Sequence, residues 1–209
     1  MIVAVDGNIC AGKTTLVNGL SLIDDVCVKY ESCADNPYLE DYYRDPSKYA
    51  LSMQLYLFMA RYETYQSAMK EAQAGKIVIL DRSVYSDAVF ARQNYNDGYI
   101  TEDGYECYMT KRRALLQNLT PPNLVVYLDV DPETCLQRIL NLRERKCEQN
   151  IPLGYLRGLD TEYKALLEEF ACEGSTTTTV CKYPWEPFGH WQDVWRTISE
   201  ISRELIHTD

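Results

Sequence analysis

The chain begins with a short apolar segment, residues 2–6 (IVAVD), that runs directly into residues 7–15 (GNICAGKTT). The second segment has the pattern G-x-x-x-x-G-K-[ST], and it lies between a strand-like run and an apolar helical pattern. Gly7 and Gly12 let the backbone curl so that its N–H groups point inward at a polyphosphate. The pattern therefore predicts a buried strand, a phosphate-binding loop and a helix, in that order.

Lys13 and Thr14 supply the charged and polar side chains of this loop. Their spacing places Lys13 to reach the β- and γ-phosphates and the Thr14 hydroxyl to hold Mg²⁺. The helix that starts near Gly12 turns its positive N-terminal end toward the same anion. We therefore predict that a nucleoside triphosphate binds to the whole loop, which consists of Gly7, Asn8, Ile9, Cys10, Ala11, Gly12, Lys13, Thr14 and Thr15.

Composition places the chain among globular proteins and narrows its partners. The 209 residues are 46% hydrophobic and 25% charged, which fits a single domain over 1–209 with a substantial core. The net charge of −10 argues against a nucleic-acid or anionic-membrane surface, which needs a basic patch. No apolar run approaches the about 20 residues of a membrane span.

We expect a cytoplasmic, reducing location. The first predicted strand begins at residue 2, which leaves no room for a signal or transit peptide. The chain has 8 cysteines but no C-x-x-C pair, and only His190 and His207 are available to complete a metal site with them. The cysteines are therefore interpreted as reduced, small apolar residues.

Strand-like runs alternate with long helical patterns, which predicts an α/β fold with a parallel sheet and right-handed crossovers. The predicted strands are 2–6, 26–30, 77–81, 124–129 and 176–181. The predicted helices are 13–23, 37–44, 46–74, 83–95, 101–118, 132–147, 152–171 and 190–207. Ligands in such folds bind at the carboxyl ends of the strands.

Several charged and polar residues fall where a second substrate would meet the γ-phosphate. Glu31 ends the second predicted strand, and residues 81–83 (DRS) end the third and open a helix. Gln54 and Arg61 lie seven residues apart on one helix and so share a face. Asp87 follows about one turn into the next helix.

These motifs resemble those of the deoxynucleoside kinases, a family that includes deoxycytidine, deoxyguanosine and deoxyadenosine kinases and the insect multisubstrate enzyme. The resemblance covers nearly the whole chain and is nearest to the bacterial deoxyadenosine and deoxyguanosine kinases. It rests on 7–15 (GNICAGKTT), 36–43 (NPYLEDYY), 53–56 (MQLY), 81–87 (DRSVYSD) and 143–148 (RERKCE). It implies a P-loop NTPase fold, with a five-stranded parallel sheet, helices on both faces and a short lid at about 143–151.

The resemblance also implies a reaction, the phosphorylation of a deoxynucleoside 5′-hydroxyl by ATP and Mg²⁺, in nucleotide salvage for DNA precursor synthesis. Glu31 would be the general base that accepts the hydroxyl proton, and Arg82 would orient it and neutralise phosphate charge. Lys13 would bind the transferred phosphoryl group. Asp81, together with Thr14, would hold the metal ion.

The lid and the sugar site are implied in the same way. Arg143 and Arg145 would close over the phosphates and donate to the transition state. Tyr43 and Glu148 would hold the 3′-hydroxyl of the sugar. The family further implies a homodimer.

The base preference follows from three residues matched to the family. Gln54 would read the base edge through its amide, which both donates and accepts. Arg61 and Asp87 would form a buried pair beside the base. In the family such a pair accompanies cytosine and purine bases, so we expect deoxyadenosine, deoxyguanosine or deoxycytidine to be favoured over thymidine.

Three alternatives compete with this interpretation. A nucleoside monophosphate kinase of the thymidylate kinase type shares the fold and a D-R dipeptide after the third strand. It needs extra cationic groups for the acceptor phosphate, and its loop usually carries an acidic residue where this chain has residues 8–10 (NIC). A GTPase switch would need an N-K-x-D motif, which the sequence lacks, and an inactive P-loop module would not need Glu31 or Arg82.

Overall fold

The computed structural model describes residues 1–31, 36–142, 145–172 and 178–207, which form a parallel sheet covered by helices. The strands are β1 Ile2–Gly7, β2 Val26–Lys29, β3 Ile77–Asp81, β4 Leu124–Asp129 and β5 Thr179–Pro184. The helices are α1 Lys13–Leu20, α2 Leu39–Arg44, α3 Pro46–Gln73, α4 Asp87–Asn96, α5 Glu102–Leu116, α6 Pro132–Leu142, α7 Leu153–Cys172 and α8 Trp191–His207, with a 3₁₀ helix at Lys146–Asn150.

The sheet has the strand order β2-β3-β1-β4-β5, and each neighbouring pair is parallel. Every residue of β1 is buried, and so is every residue of β4 except the last, Asp129. Strands that are covered on both faces have this continuous apolar character. The predicted five-stranded parallel sheet is therefore confirmed.

The topology brings the predicted site residues to one edge of the sheet. The chain leaves β1, forms β2 at the outer edge, and returns as β3 beside β1 before β4 adds to the other side. The register pairs Val5 with Asp81 and Gly7 with Leu128, so the end of β3 lies beside the start of the phosphate loop. Such a switch point is the usual ligand crevice of an open α/β sheet.

The predicted helix 83–95 begins four residues later, at Asp87. The reason is the buried carboxylate of Asp6, which accepts hydrogen bonds from the hydroxyls of Ser86 at 2.5 Å and Ser83 at 3.4 Å. These side-chain bonds compete with the first helical turn. Arg82 also has a left-handed backbone, with φ of 71°, which no helix accommodates.

Two other predicted boundaries were wrong. The helix predicted at 132–147 is Pro132–Leu142 among the described residues, and it does not reach 147, because Arg145 has an extended backbone with φ of −75° and ψ of 103° and a separate 3₁₀ helix follows. The strand predicted at 176–181 is Thr179–Pro184, because it pairs with the whole of β4, from Leu124 opposite Thr179 to Asp129 opposite Pro184. The other boundaries agree to within three residues. Along the described ranges, no helix has both the length and the apolar character needed to cross a bilayer.

Candidate active site

The phosphate loop folds around the Lys13 ammonium. Lys13 is 7% exposed, and its Nζ donates to the carbonyl oxygens of Asn8 at 2.6 Å and Gly7 at 3.1 Å. Burial, followed by the charge of Arg82, lowers the pKa of Lys13 to about 8, although Asp81 acts in the opposite direction. An anion that binds to the loop therefore stabilises the charged form of Lys13.

The loop is anchored to the strands and helices around it. Gly7 has a φ of 149°, and a Cβ there would lie 2.9 Å from the carbonyl oxygen of Leu128 on β4, so only glycine fits. The Asn8 amide donates to the carbonyl oxygen of Leu156 on α7 at 2.9 Å. These contacts fix the curvature of the loop before any ligand arrives.

Thr14 and Asp81 lie together at the end of β3, as the sequence predicted. The Thr14 hydroxyl donates to Oδ2 of Asp81 at 2.7 Å, while Oδ1 of Asp81 is buried and has no hydrogen-bond partner among the described residues. Burial raises the pKa of Asp81, and the Lys13 charge opposes this rise. A hydroxyl and an unsatisfied carboxylate oxygen side by side are a suitable pair of ligands for a hard divalent cation.

Glu31 follows β2 and is held by two arginines. Its carboxylate forms an ion pair with Arg61, and its Oε2 lies 3.3 Å from Nε of Arg82. Burial alone would raise its pKa, but the two guanidiniums outweigh burial and hold the pKa of Glu31 at about 2. The carboxylate is therefore ionised at neutral pH and 17% exposed, so it remains able to meet a substrate.

Arg82 is fixed by contacts on several sides. Its guanidinium donates to the hydroxyl of Tyr163 and lies 4.6 Å from the ring centre of Phe90. Its backbone N–H donates to the carbonyl oxygen of Val5 at 3.0 Å, which ties the left-handed turn to β1. The turn aims the side chain at Glu31 rather than along β3.

The predicted base-reading residues come together, and two of them, Gln54 and Asp87, lie behind the surface of the cavity. Arg61 forms an ion pair with Asp87, and the Gln54 side-chain nitrogen donates to Oδ2 of Asp87 at 2.8 Å and to its backbone oxygen at 3.1 Å. Gln54 and Asp87 are both 0% exposed. The Gln54 carbonyl oxygen has no hydrogen-bond partner within the described part of the chain.

The predicted sugar and lid residues that the structure describes come from α2 and from the segment 145–148. Tyr43 on α2 and Glu148 on the 3₁₀ helix face the same cavity, and the Arg145 guanidinium donates to Oε1 of Glu148 at 3.1 Å. Arg145 also lines this cavity. Arg143, the other predicted lid arginine, lies outside the described residues.

A single cavity of about 380 Å³ connects these groups. This volume lies within the usual range for small-molecule sites, about 300–1,000 Å³. Gln54 and Asp87 are not part of its lining, and neither are Gly7, Asn8 and Ala11. The predicted residues that line it are Ile9, Cys10, Gly12, Lys13, Thr14, Thr15, Glu31, Tyr43, Arg61, Asp81, Arg82, Arg145 and Glu148.

Two planar groups beside the phosphate loop were not predicted from the sequence. Arg138 on α6 is buried, donates to the carbonyl oxygens of Ala11 at 2.9 Å and Trp185 at 2.8 Å, and lies 4.0 Å from the ring centre of Phe188. Phe188 covers Gly12, where a Cβ would lie 2.8 Å from its ring. The sequence did contain a signal for this site. Arg138 lies on the buried face of α6, and a buried arginine needs hydrogen-bond or ion-pair partners.

The comparisons with known proteins agree with this geometry. A family model described as deoxynucleoside kinase matches residues 3–201. A deoxyguanosine kinase of Dictyostelium discoideum is 44% identical over 206 residues, covering 97% of this chain and 69% of that protein. A deoxyadenosine kinase of the same organism is 36% identical over 169 residues, covering 81% of this chain and 67% of that protein.

A solved structure gives the same result. The structure of deoxyadenosine kinase from M. mycoides with the products dCMP and a flexible dCDP has a TM-score of 0.74 and 26% identity, and it covers 99% of this chain and 100% of that chain. The P-loop NTPase fold and the kinase chemistry predicted from the sequence are thereby confirmed. The chain belongs to the deoxynucleoside kinase family, and it is an enzyme that phosphorylates deoxynucleosides.

Proposed function

We propose that the chain transfers the γ-phosphoryl group of ATP to the 5′-hydroxyl of deoxyadenosine, deoxyguanosine or deoxycytidine, in preference to thymidine. One observation carries the proposal, namely that a carboxylate held by two arginines, Glu31, shares a cavity with the phosphate-loop cation Lys13. The names of the D. discoideum relatives, and the dCMP in the M. mycoides structure, support this choice of nucleosides.

Proton transfer to Glu31 accompanies the phosphoryl transfer. As the 5′-oxygen forms its bond to the γ-phosphorus, the bond from that phosphorus to the departing ADP oxygen breaks, and the hydroxyl proton passes to Glu31. Lys13 and Arg82 neutralise charge on the transferred group, because both are already held at the cavity. Arg145, together with Arg143, closes over the phosphates.

Thr14 and Asp81 are the residues that would hold Mg²⁺. The unsatisfied Oδ1 of Asp81 beside the Thr14 hydroxyl supports this assignment. When bound, the ion neutralises charge on the β- and γ-phosphate oxygens. Replacing Asp81 by Asn should raise the Mg²⁺ concentration needed for half-maximal activity.

The sugar and the base are assigned to different groups of residues. Tyr43 and Glu148 would hold the 3′-hydroxyl, and the Arg145–Glu148 contact supports a lid that responds to the sugar. Arg61 and Asp87 would lie beside the base. The unpaired carbonyl oxygen of Gln54 would accept from the exocyclic amino group of adenine, guanine or cytosine, a group that thymine lacks.

We assign the donor base to the opposite end of the phosphate loop. Arg138 and Phe188 are planar groups that lie against each other, and both line the cavity. A nucleobase that leaves the loop toward solvent meets these surfaces, and stacking of this kind is sequence-tolerant and favourable.

Two further expectations from the sequence stay proposals. A homodimer is implied by the family resemblance, and light scattering on the purified protein would measure its mass directly. A cytoplasmic location is the second of these proposals, and fractionation of the source cells tests it.

The proposed function is tested by offering the purified protein the four deoxynucleosides and their monophosphates, each with ATP and Mg²⁺. We expect turnover of deoxyadenosine, deoxyguanosine or deoxycytidine, less with thymidine, and none with the monophosphates. Turnover of a monophosphate alone would favour the thymidylate kinase alternative. ATP binding without turnover of any acceptor would contradict the proposed function.

A further inference from the structure

Asp87 is the meeting point of three helices behind the cavity. Its Oδ1 accepts from Arg61 on α3, and its Oδ2 accepts from Gln54 on α3 at 2.8 Å and from the hydroxyl of Tyr108 on α5 at 2.6 Å. Asp87 itself begins α4. The hydroxyl is the donor in the Tyr108 contact, because a carboxylate at this position only accepts.

Tyr108 is buried and packed between aromatic rings, so its hydroxyl has a fixed position. It is 0% exposed, and its ring packs edge-on against Phe58 at 5.6 Å between centres and parallel to Tyr105 at 6.5 Å. Burial and the Asp87 carboxylate raise the pKa of Tyr108 well above its usual value, so the hydroxyl keeps its proton. The donor is thus present at every working pH.

The Tyr108 bond sets the direction of the Asp87 carboxylate. An aspartate carboxylate rotates in a broad, roughly two-fold well, and an arginine fork readily takes both of its oxygens. Tyr108 opposes that rotation by holding Oδ2 on the side away from Arg61. Oδ2 therefore stays available to Gln54.

The orientation of the Gln54 amide depends on this carboxylate. Both hydrogen bonds from its nitrogen go to Asp87, and its oxygen, which has no partner in the part of the chain described, is the atom that the proposed function assigns to the base. Without Asp87 in place, the amide is free to turn by 180° and present its N–H₂ group instead.

We propose that Tyr108 is a positioning residue for base discrimination, because it fixes the Asp87 carboxylate that orients the Gln54 amide. This inference rests on the proposed function and adds a specificity-determining residue to it. It predicts that the enzyme separates a pyrimidine that carries a 4-amino group from one that carries a 4-carbonyl. The chain uses the hydroxyl of Tyr108 for this purpose without any contact between Tyr108 and the cavity.

The test compares deoxycytidine with deoxyuridine, which differ at the 4-amino group and the adjoining ring nitrogen but not in the 5-substituent. In the Tyr108→Phe variant we expect the ratio of kcat/KM values to fall about tenfold, as the loss of a hydrogen bond to a charged group allows. The change should appear in KM, with kcat for deoxycytidine and KM for ATP within about twofold of the unchanged enzyme.

The matched control is Tyr65→Phe. Tyr65 is also 0% exposed, and its hydroxyl donates to the carbonyl oxygen of Thr120 at 2.8 Å, away from Asp87. This variant should show a comparable change in melting temperature and an unchanged ratio. Equal losses for both nucleosides, or an unchanged ratio in a folded Tyr108→Phe protein, would overturn the proposal.

Three other outcomes bear on the role of Tyr108. If Tyr108→Phe is not recovered as a folded protein, 4-fluorophenylalanine at position 108 replaces it. This residue keeps the ring and fills the space of the hydroxyl but donates no hydrogen bond, so the ratio should fall as well, and an unchanged ratio would count against Tyr108. If the unchanged enzyme phosphorylates no deoxynucleoside, the proposed function fails. If it phosphorylates both pyrimidines equally, the inference about Tyr108 fails alone.

Discussion

The guanidinium of Arg61 forms an ion pair with the carboxylate of Glu31 at the carboxyl end of β2. The same guanidinium contacts Asp87, so one side chain joins the proposed catalytic base to the residues assigned to the nucleobase. The charge of Arg61 is also the larger of the two favourable arginine contributions that lower the pKa of Glu31 to about 2. This ion pair therefore has consequences for both turnover and pH dependence.

Replacing Arg61 by Met should raise the pKa of Glu31 toward its usual value, because the larger compensating charge is lost. The ionised form accepts the proton, so activity is lost as the pH falls through this pKa. In the unchanged enzyme that loss lies near pH 2 and outside the working range. In the variant the acid limb of kcat/KM should move upward by about one pH unit or more. Arg92→Met, which removes an arginine paired with Glu162, is the control, and a limb that stays in place would contradict the expectation.

Replacing Glu31 by Gln should lower kcat by about 10²–10⁴-fold, the usual contribution of a positioned general base. The dissociation constant for ATP, measured by calorimetry without nucleoside, should change little, because Glu31 faces the acceptor. Glu71→Gln, at an exposed carboxylate paired with Lys76, should leave both quantities unchanged. Unchanged turnover in Glu31→Gln would remove this residue from the mechanism.

The affinity for ATP should fall at alkaline pH, because Lys13 has a pKa of about 8 in the ligand-free protein. Above that value the folded protein holds a neutral amine, which must take up a proton before it binds phosphate. The linkage predicts that the Kd for ATP rises about fivefold between pH 8 and pH 9. Cys10→Ser should retain this dependence, which separates the lysine from the thiol in the same loop. A constant Kd up to pH 9.5 would show that Lys13 titrates higher.

Replacing Gly12 by Ala should abolish measurable ATP binding or weaken it by more than about tenfold. The residue has a φ of 104°, and the new Cβ would lie 2.8 Å from the Phe188 ring and 3.1 Å from the Trp185 nitrogen. Gly75→Ala is matched in backbone, with a φ of 89°, but meets nothing within 4 Å. It should lower stability by about 1 kcal/mol without affecting ATP binding. Equal effects of the two changes would assign the loss to backbone strain alone.

Replacing Phe188 by Ala should raise the KM for ATP about fivefold, with little change in the KM for the nucleoside, because the ring is assigned to the donor base. Leu140→Ala removes an apolar side chain on α6 that is 54% exposed and does not line the cavity. It should leave both constants unchanged. A selective rise in the nucleoside KM of Phe188→Ala would place the acceptor, and not the donor, at this end.

Most of the fold could be predicted because its signals are local. The phosphate-loop motif lies between a buried strand and a helix within the first 20 residues, and the continuous apolar runs of β3 and β4 indicate central strands. Once the strands are parallel, their carboxyl ends bring Glu31, Asp81 and Arg82 together. The family motifs then supplied the assignments that spacing alone does not.

The features that were missed depend on contacts between distant residues. The start of α4 is set by Ser86 and Asp6, which are 80 positions apart. The Arg138 contact with Trp185 joins residues that are 47 positions apart, and it depends on the register of β5. The run of threonines at 176–179 led to a strand predicted three residues too early, so this contact could not be predicted. The burial of Gln54 behind the cavity likewise requires three helices to meet, and no helical spacing contains that information.

The double engagement of Arg61 limits how the enzyme can be given new substrates. A protein engineer who seeks to admit a 5-methylated pyrimidine by emptying the region around Asp87 also withdraws a counter-charge from the proton acceptor. Such a redesign needs a replacement cation next to Glu31, supplied from another part of the wall. A change that relaxes base selectivity therefore also threatens turnover, and the two must be adjusted together by paired substitutions.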